Sequence, residues 1–212
     1  AGNHSTALRH ARIAYKIDPG FTPAVCDLIE LYRGYGRTWR AMRVLRRAFI
    51  ANPHPDLIKQ HEQMAPQTKN LARRLRYHEK FLGLRPDYAP AQLLLARIAM
   101  AEGLWGEARA YLTMAEKLSP TRAFYQFRAT FNEQQGDQKQ VQYDLEQAMT
   151  APRDPVWHCR ITGKIFDRWD PLVMPEHIFG SIIWGVPSTD LAANPQFALP
   201  ADRNSSGLHR VL

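Results

Sequence analysis

A period of about 34 residues recurs through the first three quarters of the chain, and it constrains the fold more than any other feature. Pro19 recurs as Pro53, Pro86 and Pro120, at nearly equal intervals. Three of these prolines follow two alanines that are seven residues apart: Ala7 with Ala14, Ala41 with Ala48, and Ala108 with Ala115. Such a period is typical of helix–turn–helix units that stack on one another.

The repeated residues have direct physical roles in such a unit. Alanines seven apart lie two turns apart on one helix face, where a neighbouring helix can approach closely. Gly36 and Gly103 each stand five residues before the first alanine, in the turn between two helices, and the proline ends the second helix. We therefore predict a mainly α protein, with residues 1–151 forming a tetratricopeptide-repeat-like (TPR-like) solenoid of antiparallel helix pairs.

In this register the helices cover residues 6–17, 22–34, 38–51, 56–64, 69–83, 90–101, 105–118, 123–135 and 138–148. Arg74 and Phe81 stand at the two alanine positions of the third unit, so that unit is degenerate. The first helix has no helix before it to cover its apolar face. We therefore expect the natural protein to continue before residue 1.

The last quarter of the chain has a different pattern. From Pro152 the helical period stops, and residues 156–161 and 164–169 flank Thr162-Gly163 as two strands of a hairpin, with a third strand at 179–184. We predict a small, metal-free β-rich module over 152–187. Residues 188–212, rich in Pro, Ala, Asn and Ser, are predicted to be a flexible tail. Whether that tail occupies a groove of the repeats is left open.

Charge is concentrated at the start of the chain. The protein has 28 Lys+Arg and 20 Asp+Glu, a net charge of +8, and residues 1–85 alone carry 16 Lys+Arg and 6 Asp+Glu, a net of +10. Two cysteines exclude a disulfide framework, and no apolar stretch approaches the ~20 residues of a membrane span. The basic part therefore predicts an anionic partner.

One helix carries much of this charge in a basic stripe. Arg37, Arg40, Arg43 and Arg47 follow one another at helical spacing, with Arg46 beside them. A stripe of this kind is a solvated face, a site for anionic lipid headgroups, or a site for an acidic partner protein. Nucleic acid is not predicted, because no recognition module accompanies the arginines.

The repeats also predict a partner-binding groove. Stacked repeats form a concave surface lined mainly by the first helix of each unit, and partners bind there as extended peptides or helices. By register, the groove residues are Cys26, Glu30, Arg33, Leu93, Arg97, Met100, Phe124, Phe127 and Phe131. The three phenylalanines form one helical stripe, which either packs on the next element, the β-module, or anchors a partner.

Several segments resemble the C-terminal region of the proteobacterial HemY-type proteins. They are the runs 51–57 (ANPHPDL), 103–109 (GLWGEAR), 151–157 (APRDPVW) and 167–171 (DRWDP), with Trp184 and Pro187 beyond them. The resemblance implies a helical-repeat domain associated with late haem biosynthesis and held at the bacterial inner membrane by an N-terminal anchor outside this sequence. The soluble domain would then face the cytoplasm, with late haem-pathway enzymes as its partners.

A related layout, in a membrane-anchored repeat protein that regulates lipopolysaccharide synthesis, ends in a rubredoxin-like knuckle with two C-x-x-C pairs. Here Cys159 is followed by Thr162 where the second cysteine would stand. Cys159, Met174 and His177 supply too few good ligands for tetrahedral zinc or iron. We therefore predict that no metal is bound, and Cys159 and His177 are only weak candidates for ligands. We also predict no cofactor, with haem or porphyrin as the open alternative.

The sequence contains no nucleophile elbow, no zincin helix and no phosphate-binding loop, so the usual catalytic motifs are absent. His54, His61 and His78 are interpreted as surface or satisfied core residues. We therefore predict a non-enzymatic interaction scaffold, and the HemY-type resemblance implies that it gathers haem-pathway enzymes or intermediates. A regulatory adaptor for another inner-membrane process, such as envelope lipid synthesis, is the alternative, and a haem- or porphyrin-binding protein is the third.

Overall fold

The computed structural model describes residues 2–66, 68, 70–174 and 178–187. Its helices are α1 (Gly2–Ile17), α2 (Thr22–Gly34), α3 (Thr38–Ala51), α4 (Pro55–Gln63), α5 (Leu71–Leu82), α6 (Ala89–Ala101), α7 (Trp105–Leu118), α8 (Arg122–Gln134) and α9 (Gln138–Thr150). Its strands are β1 (Val156–Cys159), β2 (Ile165–Phe166), β3 (Leu172–Val173), β4 (Ile178–Phe179) and β5 (Ile182–Gly185). The chain divides into two compact units at Pro152–Arg153. The predicted tail, 188–212, and His177 lie outside the described residues.

The helices follow the period of the sequence. Helices α2, α4, α6 and α8 begin at nearly equal intervals along the chain, at Thr22, Pro55, Ala89 and Arg122. The most extensive contacts join α2 to α3, α6 to α7 and α8 to α9. Ala41, Ala108 and Ala115 are fully buried, and Ala48 is 4% exposed. The prediction that these alanines lie where helices approach closely is confirmed.

Three turns between paired helices have the same geometry. At each, a glycine adopts a left-handed conformation, with φ of 68° at Gly36, 71° at Gly103 and 77° at Gly136. In the first turn, the Gly36 N–H donates to the Arg33 carbonyl at 2.9 Å and the Arg37 N–H donates to the Tyr32 carbonyl at 2.8 Å. This pairing closes the end of α2 and fixes the direction in which α3 begins.

We predict that Gly36→Ala destabilises the protein by about 1 kcal/mol, because a Cβ at this φ is strained although no atom lies within 4 Å of it. Gly106→Ala is the matched control. Gly106 lies within α7 without a left-handed φ, so the same change there is expected to stabilise by up to about 1 kcal/mol. Urea unfolding of both variants measures the difference, and equal effects would contradict this role for Gly36.

Helix bounds agree best where the repeat signature is strongest. Helices α2, α3 and α7 have the predicted limits, whereas α1 begins four residues before the predicted position. In the degenerate unit, α4 begins at Pro55 because the His54 ring accepts a hydrogen bond from the Asp56 N–H at 3.1 Å. Helix α5 begins at Leu71, capped by the Asn70 side chain, which accepts from the Arg73 N–H at 2.9 Å.

Two apolar clusters of described residues fill the helical unit. The first spans α2 to α6, where the rings of Phe49 and Phe81 stack with centroids 4.6 Å apart. Phe81 stands at an alanine position of the degenerate unit, so a large buried ring there replaces the close approach of two helices. The second cluster joins α6, α7 and α8 around Leu112, Phe124 and Phe131.

The described part of the second unit contains two small antiparallel sheets. Strand β1 pairs with β2, with Trp157 opposite Phe166, which confirms the predicted hairpin with shorter strands. The predicted single strand at 179–184 is wrong: it is two strands, β4 paired with β3 and β5 paired with β1. Gly180, with φ of 63°, separates them, because a left-handed residue cannot continue a strand. Within the described residues, no helix has the length and apolarity to cross a membrane.

Candidate functional site

A groove between α2 and α4 brings together polar side chains from both helices. It is lined by Glu30, Arg33, Gly34, Thr38, Gln63 and Met64 and has a volume of about 490 Å³. We call it the α2–α4 groove. Two predicted groove residues, Glu30 and Arg33, lie in it. Gln63 and Met64 come from the degenerate unit, for which the sequence predicted no groove position.

A chain of hydrogen bonds crosses this groove. Gln60 donates to the Glu30 carboxylate at 2.7 Å and accepts from Arg33 at 3.2 Å. Arg33 also donates to the Gln63 side chain at 2.5 Å. These long polar side chains, most of them within reach of solvent, combine donors and acceptors, so they can exchange their mutual bonds for bonds to a polypeptide backbone.

The polar line continues toward α6. Arg97, another predicted groove residue, pairs with Glu62 of α4 at 3.3 Å, and both side chains are more than one-third exposed. An exposed pair of this kind contributes little to stability, so its carboxylate and guanidinium remain open to exchange with a ligand. Glu30, Arg33 and Arg97 are therefore connected through residues of α4.

A second groove lies between α1 and α2. Its volume is about 800 Å³, and its lining is mainly small and apolar: Ala7, Ala11, Ala14, Ala24, Leu31 and Gly34, with His10, Asp27, Glu30 and Tyr35 as the polar members. We call it the α1–α2 groove. It shares Glu30 and Gly34 with the α2–α4 groove. The two therefore form one continuous surface across α2.

Two carboxylates give the α1–α2 groove an acidic character. Partial burial, together with the neighbouring charge of Glu30, raises the pKa of Asp27. Cys26 lies beside them, where burial and the charges of Asp56, Glu30 and Asp27 raise the pKa of its thiol to about 12. The thiol therefore stays protonated at neutral pH and is a poor nucleophile. A cationic side chain bound here would relieve the repulsion between the carboxylates.

The predicted groove residues of the later helices lie differently. Phe124 is fully buried and Phe131 is 3% exposed, both in the cluster with α6 and α7. The prediction that Phe124 and Phe131 line an open groove is therefore wrong, because a buried ring cannot contact a partner. Phe127, like Leu93 and Met100, packs partly buried against the same cluster. Binding by these three stays a prediction.

Gln60 and Gln63 were missed because the degenerate unit lacks the alanine signature. A signal for Gln60 was available, since it stands one full period after Cys26. Register alone therefore identifies it. Gln63 has no such signal, because its reach into the groove depends on how α4 packs beside α2.

The basic stripe forms an exposed surface at the start of α3. The guanidinium groups of Arg40 and Arg43 lie 5.1 and 5.0 Å from the centre of the Trp39 ring, and that of Arg37 lies 5.8 Å from the Tyr35 ring. Trp39 is 58% exposed. Arg47 is also exposed, and Arg46 is half-buried. The sequence predicted the arginines but not the aromatic side chains among them.

The three histidines of the degenerate unit are all buried. His61 lies between the rings of Tyr77 and Phe81, with centroids 4.6 and 4.0 Å away, and His78 meets it edge-on at 5.1 Å. Burial lowers the pKa of His61 to about 3 and that of His78 to about 4. Both rings are therefore neutral at physiological pH and serve as packing residues.

Cys159 is buried in the β unit, where its sulfur lies 3.4 Å from both the Ser181 hydroxyl and the Thr162 N–H. Burial is the largest single contribution, and it raises the pKa of the thiol. The hydrogen bonds at the sulfur together outweigh it, so the pKa of the thiol is lowered. Within the described ranges, no three His, Cys, Asp or Glu side chains converge as metal ligands. His177, the other weak candidate, lies outside those ranges.

Comparison with known proteins places this chain in no family. No protein-family model matches it, and no curated protein matches it. Among solved structures, a crystal structure of MamA is similar at 15% identity and a TM-score of 0.44, covering 70% of this chain and 88% of its own. MamA MSR-1 C2 is similar at 19% identity and a TM-score of 0.40, covering 70% and 87%. The HemY-type resemblance gains no support from the comparisons and stays a prediction.

Proposed function

We propose that this protein is a non-catalytic interaction protein whose TPR-like helical unit binds a polypeptide segment along the surface formed by the α1–α2 and α2–α4 grooves. The observation that carries the proposal is the continuity of the two grooves through Glu30 and Gly34. One end of this surface has an apolar wall of alanines with two carboxylates, and the other has the hydrogen-bonding chain from Glu30 to Gln63.

The chemistry of the surface defines the segment that fits it. Small apolar side chains suit the wall formed by Ala7, Ala11 and Ala14, since a bulky side chain would not approach the helix closely. A lysine or arginine suits the position beside Asp27 and Glu30, because opposite charge stabilises both carboxylates. Gln63 and Arg33, which line the α2–α4 groove, are suited to the backbone amides of a partner.

The repeat itself supplies a precedent for a helical occupant. The alanines of α3 and α7 that correspond to Ala7 and Ala14 are covered by the helices α2 and α6. Ala7 is exposed and Ala14 half-buried on α1. A segment that becomes helical as it binds would cover them in the same manner.

A displayed library of random 15-residue peptides, selected on the protein, tests the proposal. We expect enriched peptides to carry Lys or Arg among small apolar residues. Asp27→Asn with Glu30→Gln should weaken their binding at least about tenfold, because two charges that face the ligand are lost. Glu107→Gln with Glu133→Gln is the matched control, since it removes two exposed carboxylates that do not line either groove.

Isothermal titration of the enriched peptides decides the outcome. Loss of affinity in the groove variant with no loss in the control supports the proposal. Failure to enrich any peptide, or equal losses in both variants, would contradict it, and circular dichroism verifies that each variant is folded.

We further propose that the partner belongs to late haem biosynthesis. The support for this is the set of sequence segments that resemble HemY-type proteins. Its test is affinity capture with the natural full-length protein in its own membrane. Recovery of ferrochelatase or a porphyrinogen-oxidising enzyme, lost with the groove variant, would favour it. Recovery of envelope-synthesis components instead would favour the adaptor, and a shifted Soret band on porphyrin titration would favour porphyrin binding.

A further inference from the structure

A surface on the other side of the first helices has the opposite charge to the grooves. A depression of about 370 Å³ is lined by Ser5, Leu8, Arg9, Arg12, Ile13, Lys16, Tyr35 and Arg37. Four of these side chains are cationic, and none is a carboxylate. Arg37 is also the residue that precedes α3, so the depression leads directly into the basic stripe.

Helices α1 and α3 contain no Asp or Glu in their sequences. Elsewhere, arginines are paired: Arg74 with Glu102, Arg85 with Asp87, and Arg128 with Asp144. Among the described residues, no carboxylate forms an ion pair with any cation of the depression or the basic stripe. The described residues therefore offer these cations no ion-pair partner, and an external anion would relieve their mutual repulsion.

Large apolar side chains stand in the same stripes as the cations. On α1, Arg9, Ile13 and Ile17 follow one another four residues apart, and Ile17 is 80% exposed. On α3, Trp39 and Ile50 are half or more exposed at either end of the run that contains Arg43 and Arg47. Exposed isoleucine and tryptophan beside arginine are typical of helices that lie in a membrane interface.

We propose that the α1 and α3 surface binds the headgroup layer of an anionic lipid bilayer. The arginines and Lys16 would contact lipid phosphates, while Trp39, Ile13 and Ile50 enter the boundary with the acyl chains. The depression bounded by Arg9, Arg12, Lys16 and Arg37 is suited to one headgroup phosphate.

The same residues fit other polyanions less well. Single-stranded nucleic acid binds by stacking bases on free aromatic faces, but two guanidinium groups already lie over the Trp39 ring. A phosphate backbone also offers nothing apolar for the exposed isoleucines to contact. An acidic protein would satisfy the charges, and it is therefore included as an alternative outcome of the test.

The test is sedimentation of the chain with vesicles of phosphatidylglycerol and phosphatidylethanolamine, with phosphatidylcholine vesicles as the neutral comparison. We expect binding to the anionic vesicles that falls as NaCl rises from about 50 to about 500 mM. Arg43→Glu with Arg47→Glu should weaken it at least about 30-fold, given the usual contribution of each arginine near such a surface. Brominated lipid should quench the fluorescence of Trp39, so that Trp39→Phe loses part of the quenching.

Arg73→Glu with Arg76→Glu is the matched control, because it makes the same charge change at two exposed arginines of α5 that do not line the depression or the basic stripe. We expect a loss below about threefold there. Equal losses in the two pairs, no binding to anionic vesicles, or tighter binding to polyglutamate or a DNA duplex than to vesicles would each overturn the proposal. The grooves are untouched in all of these variants, so the result is independent of the proposed function.

Discussion

Lowering the pH from 7 to 5 is expected to destabilise the helical unit by about 4 kcal/mol through His61 and His78 alone. Both rings are buried, and their pKa values in the folded protein are about 3 and about 4, against an ordinary value of 6.5. Below pH 6.5 the unfolded chain therefore binds protons that the folded protein does not. Each histidine contributes roughly 2 kcal/mol of this loss by pH 5.

The sign follows from the surroundings of each ring. Burial is the main cause of both shifts. The neighbouring His78 opposes the charging of His61, and Arg74 opposes the charging of His78. His54, with a pKa lowered to about 4 mainly by burial and opposed by Asp56, changes stability in the same direction. Stability is therefore complete above pH 6.5 and falls continuously as the pH falls toward 3.

Urea unfolding at a series of pH values from 4.5 to 7.5 measures this effect. His61→Phe should keep the stacking with Tyr77 and Phe81 while removing about a third of the pH dependence that the three buried histidines cause. His10→Ala is the control, because that ring is exposed on α1. A pH dependence that is unchanged in His61→Phe would show that acid acts through other groups.

Asp144→Ala is expected to destabilise the protein by about 3–5 kcal/mol, because it removes the acceptor at the centre of a buried network. The Asp144 carboxylate is fully buried. It accepts hydrogen bonds from Arg128 at 2.6 and 2.9 Å, from Asn132 at 2.8 Å and from Gln140 at 3.2 Å. Without it, the largely buried guanidinium of Arg128 keeps, among the described residues, its bond to Glu116 and its contacts with two rings.

Glu116→Ala serves as the comparison, since it removes a carboxylate from the same arginine at a site that is 45% exposed. An exposed pair contributes at most about 1 kcal/mol, so the two substitutions should differ by several-fold in their effect on the free energy of unfolding. Similar losses from both would mean that burial does not determine the strength of this network. Thermal and urea unfolding on the same samples measure both.

The paired helices were predictable because their signature is local. Alanines seven apart and a glycine before them define where two helices meet and turn, and α2, α3 and α7 have the predicted limits for that reason. The degenerate unit was predicted less well, since His54 and Asn70 set the starts of α4 and α5 through caps rather than through the period. In the β unit, the break between β4 and β5 depends on the left-handed backbone angle of Gly180. The apolar residues around it predicted one continuous strand instead.

The candidate site was predicted only in part. Glu30, Arg33 and Arg97 were chosen by register, and they lie on one polar line because α4 supplies Gln60 and Glu62 between them. Phe124 and Phe131 were chosen by the same rule and are buried instead. Register identifies the face of a helix, whereas the neighbour that covers this face belongs to another part of the chain.

The sequence by itself determined the period, the helix pairs, the turns at Gly36 and Gly103 and the excess of positive charge at the start of the chain. Each depends on residues close together in the chain, where sterics and helix geometry act directly. Only the tertiary structure decided that His61 is buried between two rings and that Asp144 is enclosed by α8 and α9. It also decided that the carboxylates of α2 and the arginines of α1 line different depressions. These features depend on contacts between distant residues, which the exclusion of water from packed helices brings together.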